Sequence, residues 1–206
     1  FGTAKYITID EIKIWAQRLS YVGELGYELY IEIKDAKKIY ELIINKGKDF
    51  NLSNCGMHAM DIMRMESGFL HWGHDISPEE NQFQAGLSFT ISNKKDVDFI
   101  GKQSLEKIKK EKLKSRFAMF TLKDSEPGKP LLLHDEPIYI DDKIIGRSTS
   151  GNYSFNFKKN LVFGYITNDL SNKKIQSKNL FIEVEKKKYP ISFQLEPLKQ
   201  SNFKKI

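Results

Sequence analysis

Residues 20–30 carry the side chains that are best suited to chemistry. They read Ser-Tyr-Val-Gly-Glu-Leu-Gly-Tyr-Glu-Leu-Tyr, with two carboxylates, three tyrosines and two glycines. A carboxylate among aromatic rings is costly to bury unless a partner donates hydrogen bonds to it. A pterin ring offers such donors, and tyrosine rings offer a stacking surface. The residue types leave a second interpretation equally open, in which Glu24 or Glu28 forms a surface ion pair with Arg18 or Arg64.

The histidines and the single cysteine favour no catalytic centre. His71, His74 and Asp75 are close in sequence, but zinc sites require further nitrogen or sulfur ligands at matched spacing, and the sequence supplies none. We therefore predict no metal. Cys55 excludes an internal disulfide framework and fits a reducing compartment. Although His58 follows three residues later, we predict that Cys55 is a buried structural thiol.

The part of the chain before about residue 110 combines strands and helices. Alternating apolar residues predict strands, and apolar residues three and four apart predict helices. Gly23 and Gly26 bracket a short segment, which indicates a tight turn or a close approach of the backbone. The predicted elements are two strands in 7–21 joined by a turn at 10–11, a strand over 27–33, and helices over 35–46 (with Asp35 as N-cap), over 56–66 and from about 101.

The character of the sequence changes after about residue 113, where short apolar segments alternate with turn residues. Strands at this spacing are typical of a small antiparallel barrel. We therefore predict an α+β chain with domains over 1–110 and 111–206. The predicted strands are 117–122, 138–140, 144–149, 161–166, 180–184 and 191–195, with turns at 126–128, 141–143 and 151–152.

Composition narrows the class of partner. The chain has 206 residues, of which 40% are hydrophobic and 29% charged, which is typical of a globular protein. Its net charge of +6 comes mainly from lysine, whereas nucleic-acid surfaces interleave arginine and aromatic residues on one face. A membrane-spanning helix needs about 20 consecutive apolar residues, and the apolar runs of this chain are far shorter. We therefore predict neither a nucleic-acid nor a membrane partner, although the basic surface suits an anionic ligand such as a polyglutamate tail.

Several motifs, in order along almost the whole chain, resemble the C-terminal region of dimethylglycine and sarcosine dehydrogenases, which are related to the glycine-cleavage T-protein. Residues 20–30 resemble the family's S-Y-[TV]-G-E-L-G-[WY]-E-L-Y stretch. The other matching segments are 59–66 (A-[ML]-[ND]-x-[LM]-R-[LM]-E), Trp72-Gly73, 85–87 (A-G-L), 98–105 (D-F-I-G-[KR]-x-[AS]-L), 145–151 (V-G-x-x-T-S-G) and 196–198 (E-P-L).

The resemblance implies the later part of a folate-binding domain followed by an aminomethyltransferase-type barrel. It also implies that a flavin domain oxidises an N-methyl group and that tetrahydrofolate takes up the carbon as 5,10-methylenetetrahydrofolate. The relatives bind folate at positions that match Tyr21, Glu28, Leu29 and Tyr30, and the T-protein branch uses a glutamate that matches Glu24. The resemblance also implies a flavin domain with FAD, and the first portion of the folate-binding domain, upstream of this chain, and we expect this upstream portion to be its partner. The catalytic residue is expected there as well.

Two departures from the family pattern qualify the resemblance. T-proteins carry an arginine where this chain has Met60. The family also carries a glutamate at the position of Gln84, and the loss of this carboxylate alters either a pocket or only a surface. Arg64 and Glu66 are two apart on a helix and do not face each other, so we predict structural roles for both.

Two other functions remain open. One is a stand-alone aminomethyltransferase or folate-dependent demethylase, and the other is a non-catalytic folate-binding module. We expect the chain to be inactive by itself, and to be located in the cytoplasm or, in a eukaryote, in the mitochondrial matrix.

Overall fold

The computed structural model describes residues 1–92 and 97–200, which divide into two compact units. The first unit contains Phe1–Phe69 together with Lys199 and Gln200, and the second contains Leu70–Leu198. The α+β prediction is confirmed by helices that accompany a closed antiparallel barrel. The domain boundary between residues 110 and 111 stays a prediction.

An antiparallel three-stranded sheet forms the centre of the first unit. Its strands are β1 (Ala4–Ile9), β2 (Ile12–Gln17) and β3 (Glu28–Tyr30), in that order. Asp10 and Glu11 join β1 to β2 with φ values of 47° and 66°, the conformation that suits the twist of a tight hairpin. The predicted hairpin is therefore confirmed.

The strand predicted over 27–33 is shorter in the structure. It ends at Tyr30, and the helix α1 (Ile33–Gly47) begins three residues later. Ile33 is 95% exposed, so the alternation of apolar residues does not continue as a buried face. Glu32 is the N-cap of α1, and the prediction of Asp35 as N-cap is wrong. Asp35 lies in the first turn, where a carboxylate interacts favourably with the helix dipole.

The helix α2 (Met57–Glu66) follows a solvent-exposed loop over 51–56. Ile62 and Met65 of α2 are buried, as the predicted amphipathic pattern requires. Cys55 lies in the loop and is exposed, so the prediction of a buried thiol is wrong. The reason is that the loop contributes no side chain to the core of the unit, and a cysteine follows the burial of the segment that carries it.

The second unit is built around a closed six-stranded barrel. The strand order around the barrel is β4-β7-β6-β5-β8-β9, and every pair is antiparallel. Two helices, α3 (Lys102–Lys110) and α4 (Asn172–Gln176), belong to this unit. The strands are β4 (Ser115–Leu122), β5 (Pro137–Ile140), β6 (Lys143–Ser154), β7 (Lys159–Thr167), β8 (Leu180–Val184) and β9 (Lys187–Gln194).

All six predicted barrel strands are present, but one predicted turn is not. Residues 151–152 lie inside β6, which continues to Ser154 before the chain reverses. Gly151 packs against Leu132, and a Cβ at this position would overlap the Leu132 side chain. The glycine therefore marks a close contact within a strand rather than a turn. Among the described residues, no helix is long and apolar enough to cross a membrane.

Candidate functional site

Two glycines shape the loop that joins β2 to β3. Gly23 is buried and has a φ of 73°, a conformation that favours glycine. At Gly26 a Cβ would lie 2.7 Å from the carbonyl oxygen of Leu19. The predicted tight turn and the predicted close approach of the backbone are both found here, at different glycines.

Tyr21 and Ser20 form the partly buried end of this loop. The Tyr21 ring is stacked on Phe69, with 6.4 Å between ring centroids and 12° between planes. The Ser20 hydroxyl oxygen is buried and has no hydrogen-bond partner among the described residues. A buried hydroxyl without a partner is costly. The loop is fixed nearby, because the Ser67 hydroxyl donates to the Val22 carbonyl at 3.1 Å.

Glu28 and Tyr30 lie on one face of β3. The Tyr30 hydroxyl donates to Glu28 Oε2 at 2.9 Å, as expected for residues two apart on a strand. This hydrogen bond, and the negative charge that accepts it, raise the pKa of Tyr30 above its ordinary value. Both side chains are exposed, whereas Leu29 is half-buried and pairs with Ala16 of β2.

Glu24 forms an ion pair with Lys199. The Lys199 backbone N–H donates to the Glu66 carbonyl at 2.9 Å, which holds this segment against the C-terminal end of α2. Arg64, one of the two arginines considered as a partner for Glu24 or Glu28, instead pairs with Asp61 at 2.8 Å. Sequence reasoning did not find Lys199, since no local pattern links a lysine near the end of the chain to this loop.

The structure thus places the five predicted binding residues on one continuous segment, with different partners. Tyr21 contacts Phe69, Glu24 contacts Lys199, and Glu28 contacts Tyr30. Because Glu24, Glu28 and Tyr30 are exposed, the segment presents an open surface that offers rings and hydrogen-bond acceptors.

Two family models match the chain in succession. The model described as the GCVT N-terminal domain matches residues 1–95, and the model of the glycine cleavage T-protein C-terminal barrel domain matches residues 116–199. The chain belongs to the glycine-cleavage T-protein family. The second match covers the closed barrel, which identifies that barrel as the T-protein type.

Individual relatives agree with this family. Dimethylglycine dehydrogenase, mitochondrial, of Rattus norvegicus is 36% identical over 200 residues, which is 96% of this chain and 22% of the relative. An aminomethyltransferase of Symbiobacterium thermophilum is 30% identical over 167 residues, which is 81% of this chain and 44% of the relative. The chain therefore spans about a fifth of the dehydrogenase and under half of the aminomethyltransferase.

A solved T-protein has the same fold. The glycine cleavage system aminomethyltransferase T from Bartonella henselae superposes with a TM-score of 0.78 at 22% identity, covering 91% of this chain and 50% of that structure. The expected later part of a T-protein-like domain, followed by a small antiparallel barrel, is thereby confirmed.

The family's missing glutamate is replaced by a side chain with a structural role. Gln84 accepts from the Asn81 amide nitrogen at 2.7 Å and donates to the Ser115 hydroxyl at 3.0 Å. It therefore joins a turn to the first residue of β4. A glutamate could accept the first bond but could not donate the second.

The histidine-rich segment of this T-protein relative also has a structural explanation. Asp75 is buried and accepts hydrogen bonds from the His71 backbone at 3.0 Å, from the Ser150 hydroxyl at 2.8 Å and from the Thr149 hydroxyl. The rings of His71 and His74 are 4.6 Å apart. Among the described residues, no group of three or more His, Cys, Asp or Glu could hold a metal ion.

Proposed function

We propose that this chain binds tetrahydrofolate at residues 20–30 and serves one-carbon transfer in a dimethylglycine or sarcosine dehydrogenase-like enzyme. The observation that carries the proposal is the loop between β2 and β3. Within eleven residues it carries a half-buried aromatic ring and exposed carboxylates. The same residues resemble the folate-binding stretch of the dehydrogenases.

The residues present fit the ligand. Tyr21 offers a ring face for a pterin. The carboxylates of Glu28 and Glu24 are acceptors for the pterin's amine and ring N–H donors. Leu29 and Tyr30 would complete the contact surface along β3.

When bound, tetrahydrofolate supplies the nitrogens that take up the one-carbon unit. The product that leaves is 5,10-methylenetetrahydrofolate. The residues of this chain bind and orient the ligand. Oxidation of the N-methyl group requires a flavin, and we propose that FAD and the catalytic residue belong to a portion outside this chain, since the rat dehydrogenase is far longer than the matched region. By itself the chain is then inactive.

A stand-alone aminomethyltransferase or folate-dependent demethylase is the second candidate, favoured by the 44% of the Symbiobacterium aminomethyltransferase that the chain covers. Against it, the chain is more similar to the rat dehydrogenase, and Met60 replaces an arginine typical of T-proteins. Flavin absorbance in the product of the whole gene would favour the dehydrogenase, and its absence the second candidate.

Location and further partners follow from this proposal. We propose the cytoplasm or, for a eukaryotic source, the mitochondrial matrix, which agrees with the word mitochondrial in the name of the rat relative. The partners are then tetrahydrofolate and the flavin-containing portion of the enzyme, with neither nucleic acid nor membrane among them.

A calorimetric titration of the chain with folinic acid tests the proposal. We expect Tyr21→Ala to weaken binding about tenfold, because a stacking surface is lost. Glu28→Gln should weaken it by a similar factor of about ten, since hydrogen bonds to a charged acceptor become bonds to a neutral one. Tyr40→Ala is the matched control, because Tyr40 is an exposed tyrosine on α1, and it should leave affinity within about twofold.

Circular dichroism of each variant would establish that it is folded. Absence of binding by the unmodified chain, and also by the longer gene product, would contradict the proposal. Equal losses in Tyr40→Ala and Tyr21→Ala would contradict the assignment of residues 20–30 as the site.

A further inference from the structure

Lys199 is a mostly buried cation within the first unit. Its side chain is only 17% exposed, whereas that of its partner Glu24 is 48% exposed. A buried ammonium needs a counter-charge because removal from water is costly. Within the described residues, Glu24 is the acidic group that forms an ion pair with it.

Lys199 has a second contact besides this ion pair. Its backbone N–H bonds to the carbonyl of Glu66, a residue that is itself 1% exposed at the end of α2. Glu24, by contrast, lies on the loop between Gly23 and Gly26, at the more exposed end of the pair. The lysine is therefore the more buried member of the pair and has an additional backbone contact.

We propose that Lys199 is a positioning residue for ligand binding, which acts by holding the Glu24 carboxylate on the surface of the candidate site. This inference rests on the proposed function. Lys199 bonds to Oε1 of Glu24, which leaves Oε2 available to an N–H donor of the folate pterin. Among the described residues, Glu28 instead accepts a hydrogen bond from the exposed hydroxyl of Tyr30.

A purely structural role for Lys199, as an attachment for the end of the chain, predicts different behaviour. A structural attachment would affect stability and would weaken folinate binding equally in every background. A positioning residue that acts through Glu24 affects binding only while Glu24 is present, which a double-mutant cycle measures directly.

The test uses Glu24→Gln, Lys199→Met and their double variant, with folinic acid affinity by calorimetry and the midpoint of thermal unfolding as readouts. We expect Lys199→Met to weaken binding about fivefold, as for loss of a partly exposed ion pair. Lys199→Arg should keep the affinity within about twofold of that of the unmodified chain, since arginine has the same charge and a similar length. In the Glu24→Gln background, Lys199→Met should cause no further loss.

Glu28→Gln provides the matched control, since Glu28 is a glutamate of the same segment whose partner among the described residues is Tyr30 and not a lysine. In the Glu28→Gln background, Lys199→Met should still weaken binding by the full factor. Glu24→Gln should also lower the unfolding midpoint more than Glu28→Gln does, because it leaves a mostly buried ammonium without its counter-charge.

Equal weakening by Lys199→Met in the Glu24→Gln and Glu28→Gln backgrounds would overturn the inference. So would an unchanged affinity in Lys199→Met when Tyr21→Ala and Glu28→Gln still weaken binding, a result that leaves the proposed function intact. Absence of folinate binding by the unmodified chain and by the longer gene product would overturn the proposed function and this inference together.

Discussion

Replacement of Arg64 by methionine will lower the free energy of unfolding of the first unit by about 3 kcal/mol, because it removes the charge-assisted hydrogen bonds of a buried guanidinium. Arg64 is 1% exposed. It donates to Asp61 from Nε at 2.9 Å and from Nη2 at 2.8 Å, and to the Phe69 carbonyl from Nη1 at 3.1 Å. Methionine fills much of the same volume but supplies none of these donors.

The control for Arg64→Met is an arginine in a surface ion pair. Arg147 pairs with Asp135, and their side chains are 62% and 53% exposed, so Arg147→Met should cost less than about 1 kcal/mol. The chain has two tryptophans, and Trp15 lies in the first unit. Denaturant unfolding followed by Trp15 fluorescence in a Trp72→Phe background therefore reports on the unit that contains Arg64. Trp72 fluorescence in a Trp15→Phe background reports on the unit that contains Arg147. A cost below 1 kcal/mol for Arg64→Met would contradict the structural role of Arg64.

Substitution of Gly146 by alanine will destabilise the barrel by about 3 kcal/mol, the upper part of the range for overpacking. Gly146 lies on β6 opposite Ile166 of β7. A Cβ at this position would overlap the Tyr165 carbonyl oxygen and would lie 2.8 Å from the Ile166 Cα. These are backbone atoms of the neighbouring strand, so they can move only if the hydrogen bonds between β6 and β7 are distorted.

Gly128→Ala is the control, because it separates the steric effect of an added Cβ from the energetic cost of the backbone conformation. Gly128 has a φ of 71°, and no atom would lie within 4 Å of an added Cβ. Its substitution should therefore cost about 1 kcal/mol, from the left-handed conformation alone. Thermal unfolding followed by circular dichroism compares the two variants. Equal stability of the Gly146→Ala and Gly128→Ala proteins would contradict the close approach of β6 and β7 at Gly146.

Features of the fold that depend on local sequence could be predicted. The hairpin at Asp10 and Glu11 and the six barrel strands follow from alternating apolar residues and from turn residues a few positions apart. The turn predicted at residues 151–152 failed because a glycine that accommodates Leu132 has the same local signature as a turn glycine. The prediction for Cys55 failed because the burial of a loop depends on packing that no local pattern records.

The same distinction applies to the candidate site. Its residues could be proposed from the sequence because two carboxylates and three tyrosines within eleven residues are hard to explain by packing alone. Their partners could not be found, since the contacts of Tyr21 with Phe69 and of Glu24 with Lys199 join residues far apart in sequence. Such contacts depend on how the chain folds back, which periodicity does not encode.

Folate binding at residues 20–30 is tested most directly by an NMR map of folinic acid binding to the isotopically labelled chain. We expect the largest chemical-shift changes on the amides of residues 20–30 and on the rings of Tyr21 and Phe69. Changes confined to the barrel strands β4 to β9, with residues 20–30 unaffected at saturation, would contradict it.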